Sequence, residues 1–222
     1  MAARAQAAVP PSRVKPLLRG VSHEVAAFFA LAAWGLLLAF ARGSRGTTAA
    51  AVYGASLFAM FGTSALYHRP TWSPRPRLWL RRLDHSAIFV LIAGTYTPFC
   101  LLLGGRRGLA LLAIAWGGAL VGILRAMLWP RAPRPLAVGL YLLLGWLVLP
   151  VLPHLYRVAG AGAVALLAAG GLLYTVGALI YATRRPDPFP RVFGYHEIFH
   201  LLVIAAAACH FAVVAGAVRL VG

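Results

Sequence analysis

The sequence predicts an all-α membrane protein, a seven-transmembrane helix bundle with its N-terminus inside and its C-terminus outside. Three observations predict it. The 222 residues are 61% hydrophobic, with a mean hydropathy of +0.81. Charged residues make up 11%, less than half of the roughly 25% of a soluble domain. Apolar stretches recur at the length a membrane helix needs, about 20 residues for a ~30 Å hydrocarbon core, and short Arg-bearing connections separate them.

Seven stretches qualify: 25–41, 48–67, 85–103, 109–128, 135–152, 161–182 and 197–217. Acids occur only at their edges, and the chain has just four: Glu24, Asp84, Asp187 and Glu197. The first stretch follows a tail with Arg4, Arg13, Lys15 and Arg19, which imitates a signal peptide. No small-residue cleavage site with a polar region follows it, so it reads as an uncleaved first span. The chain divides into a basic cytoplasmic tail over 1–24, one transmembrane domain over 25–217 and a short external tail over 218–222. The third stretch contains Thr95-Tyr96-Thr97-Pro98. Proline lacks the backbone donor and frees the carbonyl of Gly94, which predicts a kink. Gly and Ala inside the spans suit close helix packing in lipid.

Basic residues set the orientation. Fifteen of the 21 Lys and Arg fall on the side of the N-terminus. They are the tail cations, Arg69, Arg75, Arg77, Arg81 and Arg82 after the second span, Arg125, Arg131 and Arg134 around the fourth connection, and Arg184, Arg185 and Arg191 before the last span. The remaining six are Arg42, Arg45, Arg106, Arg107, Arg157 and Arg219. The positive-inside rule therefore places the N-terminus in the cytoplasm. The net charge of +17 does not indicate a nucleic-acid partner. These cations lie between apolar runs, where they act as topology signals and contact anionic headgroups, so the expected partners are membrane lipids. Cys100 and Cys209 both fall in apolar runs and read as small packing residues.

His196-Glu197-Ile198-Phe199-His200 opens the last apolar stretch. Histidines four residues apart share one helix face, with Cβ atoms about 5–6 Å apart, which suits two ligands of one metal ion. The second span ends at Ser64-Ala65-Leu66-Tyr67-His68 and the third begins at Asp84-His85. His68, Asp84, His196 and His200 then lie at similar depth near the cytoplasmic boundary, on three helices, with Ser64 one turn from His68. Each alone has a structural explanation: an interfacial histidine, a helix-capping acid, a packing serine. Together, three imidazoles with an open fourth position describe a catalytic zinc site. His23 reads as interfacial. His85 lies about 100° round the helix from Asp84 and faces elsewhere. His154 sits in an outer loop. His210 is roughly 15 Å along the helix from His200 and serves a polar cavity or bonds a neighbouring helix.

Four segments resemble the hemolysin III branch of the progestin and adipoQ receptor (PAQR) family. They are Leu18-Arg19-Gly20-Val21-Ser22-His23, Ser64 to His68, Asp84 to Ile88 with Ala93 to Pro98, and His196 to His200 with Ala205 to His210. The compact chain looks bacterial, which implies the bacterial cytoplasmic membrane. The resemblance implies one zinc ion held by His68, His196 and His200. Asp84 matches the acid beside the metal's open position and Ser64 the neighbouring hydroxyl.

Three functions follow. The first is a zinc-dependent hydrolase of lipid amides or esters, ceramidase-like, acting in membrane lipid homeostasis with Asp84 and Ser64 as its catalytic groups. The second is a non-enzymatic sensor or cytolysis-associated protein with structural zinc. The third comes from the pattern H-E-x-x-H, in which Glu197 would be the general base of an intramembrane metalloprotease. The whole-chain resemblance makes that pattern incidental.

Overall fold

A computed structural model describes residues 15–221. Arg4 and Arg13 of the expected basic tail, and Gly222 of the expected external tail, lie outside the described residues. The described chain is helical: α1 (Val21–Phe40), α2 (Gly43–His68), α3 (Pro74–Leu103), α4 (Gly105–Leu128), α5 (Arg134–Trp146), a 3₁₀ turn (Leu149–Val151), α6 (Leu152–Thr183) and α7 (Tyr195–Leu220).

Among the described residues, six helical stretches are long and apolar enough to cross a membrane, and the protein is a multi-pass integral membrane protein. One of the six, Arg134–Thr183, is 50 residues long. As a straight helix it would reach about 75 Å, more than twice a ~30 Å hydrocarbon core. It folds back instead. Gly160 has φ 80° and ψ 177° inside α6, a conformation open essentially to glycine alone. The limbs on either side run antiparallel. The Arg134 guanidinium lies 5.3 Å from the Tyr181 ring centre, and Trp146 Nε1 donates to Thr175 Oγ1 at 3.2 Å. Proline at positions 150 and 153 breaks the regular hydrogen bonding between α5 and α6. The helix then continues through His154, which is part of α6 rather than an outer loop.

α3 departs from expectation at its start. Pro74 occupies the first turn, where its missing donor costs nothing. Helix therefore begins there and carries Arg75, Arg77, Arg81 and Arg82 on its first turns, where a loop was expected. Its 30 residues outreach the hydrocarbon core, and long Arg side chains can extend from such a helix to the polar boundary. The helix continues through Pro98 to Leu103. Thr95 and Thr97 hydroxyls donate to the carbonyls of Leu91 and Ala93, at 2.7 and 3.1 Å.

Small residues set the helix crossings. A Cβ on Gly54 of α2 would meet the Trp34 side chain of α1. One on Gly94 of α3 would meet Ser56 of α2, and one on Gly122 of α4 would meet the Phe89 ring of α3. The largest buried cluster joins α1, α2, α3, α6 and α7 around Tyr53, Leu57, Phe61, Phe99, Leu155 and Val214. The packing holds the N-terminal ends of α1 and α7 against the C-terminal end of α2.

Candidate metal centre

The site forms where those three helix ends meet. Gly20, at φ 81°, precedes α1 and packs so closely on α2 that a Cβ there would meet His68 Cβ. Backbone N–H groups of Leu17 and Leu18 donate to the carbonyls of Arg191 and Val192 at 3.0 and 3.2 Å. Lys15 Nζ donates to the Arg69 carbonyl at 2.6 Å. Arg69 Nε pairs with Glu24 Oε2 at 2.6 Å across α1 and α2. Arg19 Nε pairs with Glu197 Oε1 at 2.6 Å, reaching α7. The strap Lys15–Gly20 thus ties the three ends together beside the histidines.

One candidate metal-binding nitrogen from each of His68, His196 and His200 lies within 4.8 Å of the others. His200 is 1% exposed and His196 is also buried. His68 Nε2 and His196 Nε2 face each other at 3.2 Å. His200 Nδ1 is buried with no hydrogen-bond partner among the described residues. A buried imidazole nitrogen without a partner is costly. Three imidazole nitrogens gathered this closely form a donor set that fits a metal ion and can hold one. Asp84 Oδ2 stands 3.9 Å from His68 Nε2, close to the triad and outside it. Ser64 Oγ is 2.7 Å from His23 Nδ1. All six side chains line one cavity of about 1560 Å³. It extends past Tyr96, Leu167 and Tyr174 to His210, whose Nε2 meets the Leu167 carbonyl at 3.2 Å.

One placement at the site differs from the sequence reading. His23 is an interior residue, 2% exposed. Its ring lies flat on that of His200, with centroids 3.7 Å apart. Its position ahead of the first strongly apolar run suggests an interfacial residue, but helix starts two residues before it, at Val21. Its place in the Leu18–His23 segment was the one available signal. Glu197, 2% exposed, is fully engaged. One carboxylate oxygen meets Arg19, and the other accepts the Gly194 N–H at 2.8 Å, capping α7. His85 faces α5, its Nδ1 3.5 Å from the Tyr141 hydroxyl.

The fold and the site define a class: a polytopic helical membrane protein with three clustered histidines on the wall of a large cavity. Comparison with known proteins agrees. The model of the family described as Haemolysin-III related matches residues 12–211. "Hemolysin-3" of Bacillus cereus is 35% identical over 201 residues, 88% of each chain. "Hemolysin-3 homolog" of Bacillus subtilis (strain 168) is 37% identical over 161 residues, 72% of each chain. "Adiponectin receptor protein" of Drosophila melanogaster is 32% identical over 153 residues, 59% of this chain and 33% of the receptor. The chain belongs to the Haemolysin-III related family, the hemolysin III branch of the progestin and adipoQ receptors.

Proposed function

We propose that this protein is a zinc-dependent hydrolase of lipid amides or esters in the bacterial cytoplasmic membrane, acting in lipid homeostasis. In this reading the two limbs of Arg134–Thr183 are separate spans, the bundle has seven, and the N-terminus is cytoplasmic. Fifteen of the 21 cations then face inward, as the positive-inside rule requires.

One observation carries the reading. The three converging imidazoles sit in the wall of a roughly 1560 Å³ cavity, with a carboxylate beside them and no fourth protein ligand in the cluster among the described residues. A structural zinc site normally has four protein ligands, whereas a catalytic one keeps an open position. His68, His196 and His200 hold the ion. When bound, zinc polarises an acyl carbonyl and makes water more acidic. Asp84 accepts the proton released as water adds to the acyl carbon. It returns that proton to the nitrogen or oxygen that leaves when the acyl bond breaks. Ser64, oriented by His23, donates a hydrogen bond to the developing oxyanion. Glu197 is the alternative base of the protease pattern, but the Arg19 pair and the α7 cap occupy both its oxygens. That favours Asp84.

A second reading has one observation in its favour: relatives that cover most of the chain are named for haemolysis. In it the protein is a sensor or cytolysis-associated factor, and the metal is structural. Metal analysis of the purified protein, with release of acyl chains from lipids after reconstitution, separates the two. Stoichiometric zinc with turnover supports the hydrolase. Stoichiometric zinc with no turnover on a broad lipid panel supports the second reading.

A further inference from the structure

Cations outnumber acids in the lining of the cavity. Lys15, Arg77, Arg81, Arg134, Arg184 and Arg191 all border it. Of the chain's four acidic side chains, only Asp84 and Asp187 share that lining. Glu24 pairs with Arg69 and Glu197 with Arg19. Asp84 stands beside His68, and Asp187 Oδ1 accepts the Tyr195 N–H at 3.0 Å. A topology signal needs only cations in exposed loops. Arg81 and Arg134 are instead half-buried on helices. Arg134 lies over the Tyr181 ring inside the cavity, and its Nη1 is buried without a hydrogen-bond partner among the described residues. Lys15 lies among these cations. Burial first, then Arg69, Arg19 and Arg77, push its ammonium below the ordinary lysine value. A cleft lined predominantly by one sign of charge concentrates ligands of the other sign. Guanidinium groups match phosphate geometry through paired hydrogen bonds. Deeper in, the walls turn apolar at Leu91, Phe99, Leu152 and Val203, a lining for an acyl chain.

We propose that the cavity takes acyl lipids with a phosphate-bearing, net anionic head, held at its mouth by Arg81 and Arg134 with the acyl chain directed past the histidines. This names the substrate class of the proposed hydrolase and rests on that reading for its role. Binding itself is measured without turnover.

The test titrates lysophosphatidylglycerol, lysophosphatidylcholine of the same acyl chain, and inorganic phosphate into the full-length protein in neutral detergent, with calorimetry or native mass spectrometry as readout. The expected result is at least tenfold tighter binding of lysophosphatidylglycerol than of lysophosphatidylcholine. The preference should narrow as salt is raised and persist after chelation of metal. Inorganic phosphate at equal concentration should not displace the lipid. Arg81→Gln/Arg134→Gln should abolish the preference. If that pair fails to fold, Arg77→Gln/Arg184→Gln should reduce it. Arg106→Gln/Arg107→Gln, away from the cavity, should leave it unchanged. Equal affinity for the two lipids overturns the proposal, as does a preference that survives both mouth variants. Displacement by inorganic phosphate alone also overturns it, because the site would then serve a free anion. Retained preference in a protein that hydrolyses nothing supports the binding site and counts against only the hydrolase reading.

Discussion

The imidazole of His23 lies flat on that of His200, with centroids 3.7 Å apart and planes 6° from parallel. His23 also meets Ser64 through Nδ1 at 2.7 Å and packs edge-on against Phe61 at 5.1 Å. One side chain thus fixes the plane of a candidate metal ligand and the position of a candidate catalytic hydroxyl. Groups that orient ligands from behind commonly change metal affinity by about 10–100-fold when removed. His23→Ala should weaken metal retention by roughly tenfold. His23→Phe keeps an aromatic ring against His200 but loses the bond to Ser64, so it should retain metal better than His23→Ala. Competition with a chromophoric chelator measures both. Equal retention by wild type and His23→Ala would remove this positioning role.

The triad itself predicts a coupling of metal to stability. A ligand that binds only the folded state stabilises it by about 2.7 kcal/mol at 100 times its Kd. Chelation should therefore lower the thermal midpoint of the wild-type protein. The His196→Ala/His200→Ala variant should lose the metal, and its midpoint should no longer respond to chelator. Near-stoichiometric zinc in that double variant would contradict the three-histidine centre.

Most of the helical architecture was legible in the sequence, because hydropathy and length report directly on what a bilayer admits. The turn at residue 160 fell between two expected spans, and Gly160 is where the chain reverses. The start of α3 was not legible. Hydropathy registers where a helix enters lipid, not where helix begins, and Pro74 starts α3 eleven residues before the expected span. At the site, the spacing of His196 and His200 follows from helix geometry alone. The convergence of His68 with them needed only the expected direction of the second span. His23 and the engagement of Glu197 were hidden because both rest on tertiary contacts with no periodic signal, the stacking of His23 on His200 and the reach of Arg19 to α7.

The close crossing of α1 and α2 gives a prediction about packing. A Cβ on Gly54 would overlap the Trp34 side chain, including its own Cβ, which a rotamer change cannot move. Gly54→Ala should cost about 1–3 kcal/mol, the usual range for overpacking. Gly62→Ala, where a Cβ meets nothing within 4 Å, should be close to neutral. Thermal midpoints in detergent measure the difference, and equal midpoints would deny the close crossing.

Orientation is tested by reporter fusions at residue 222 and at the N-terminus. Seven spans with the N-terminus inside require an external signal from the first and a cytoplasmic signal from the second. Two cytoplasmic signals would mean that the limbs on either side of Gly160 do not each cross the membrane.

Asp84 and Glu197 separate chemistry from scaffolding, since they are acids of different surroundings at one end of the bundle. Asp84 stands 3.9 Å from His68 and borders the cavity. Glu197 is buried, held by Arg19 and by the Gly194 N–H. Asp84→Asn preserves shape and hydrogen bonding but cannot accept a proton as a carboxylate does. It should keep the metal and lose turnover by about 10²–10⁴-fold, the usual share of a general base. Glu197→Gln removes the charge that Arg19 faces. Hydrogen bonds to charged groups contribute about 1.5–3 kcal/mol, so this variant should lose thermal stability of that order and keep most of its turnover per folded molecule. A protease built on the H-E-x-x-H pattern requires the reverse order of activity losses. A sensor or cytolytic factor requires that neither change matters while metal and fold survive. Zinc content, thermal midpoint and lipid hydrolysis, measured on the same two preparations, distinguish the three, and an active, zinc-loaded Asp84→Asn protein would eliminate Asp84 as the base.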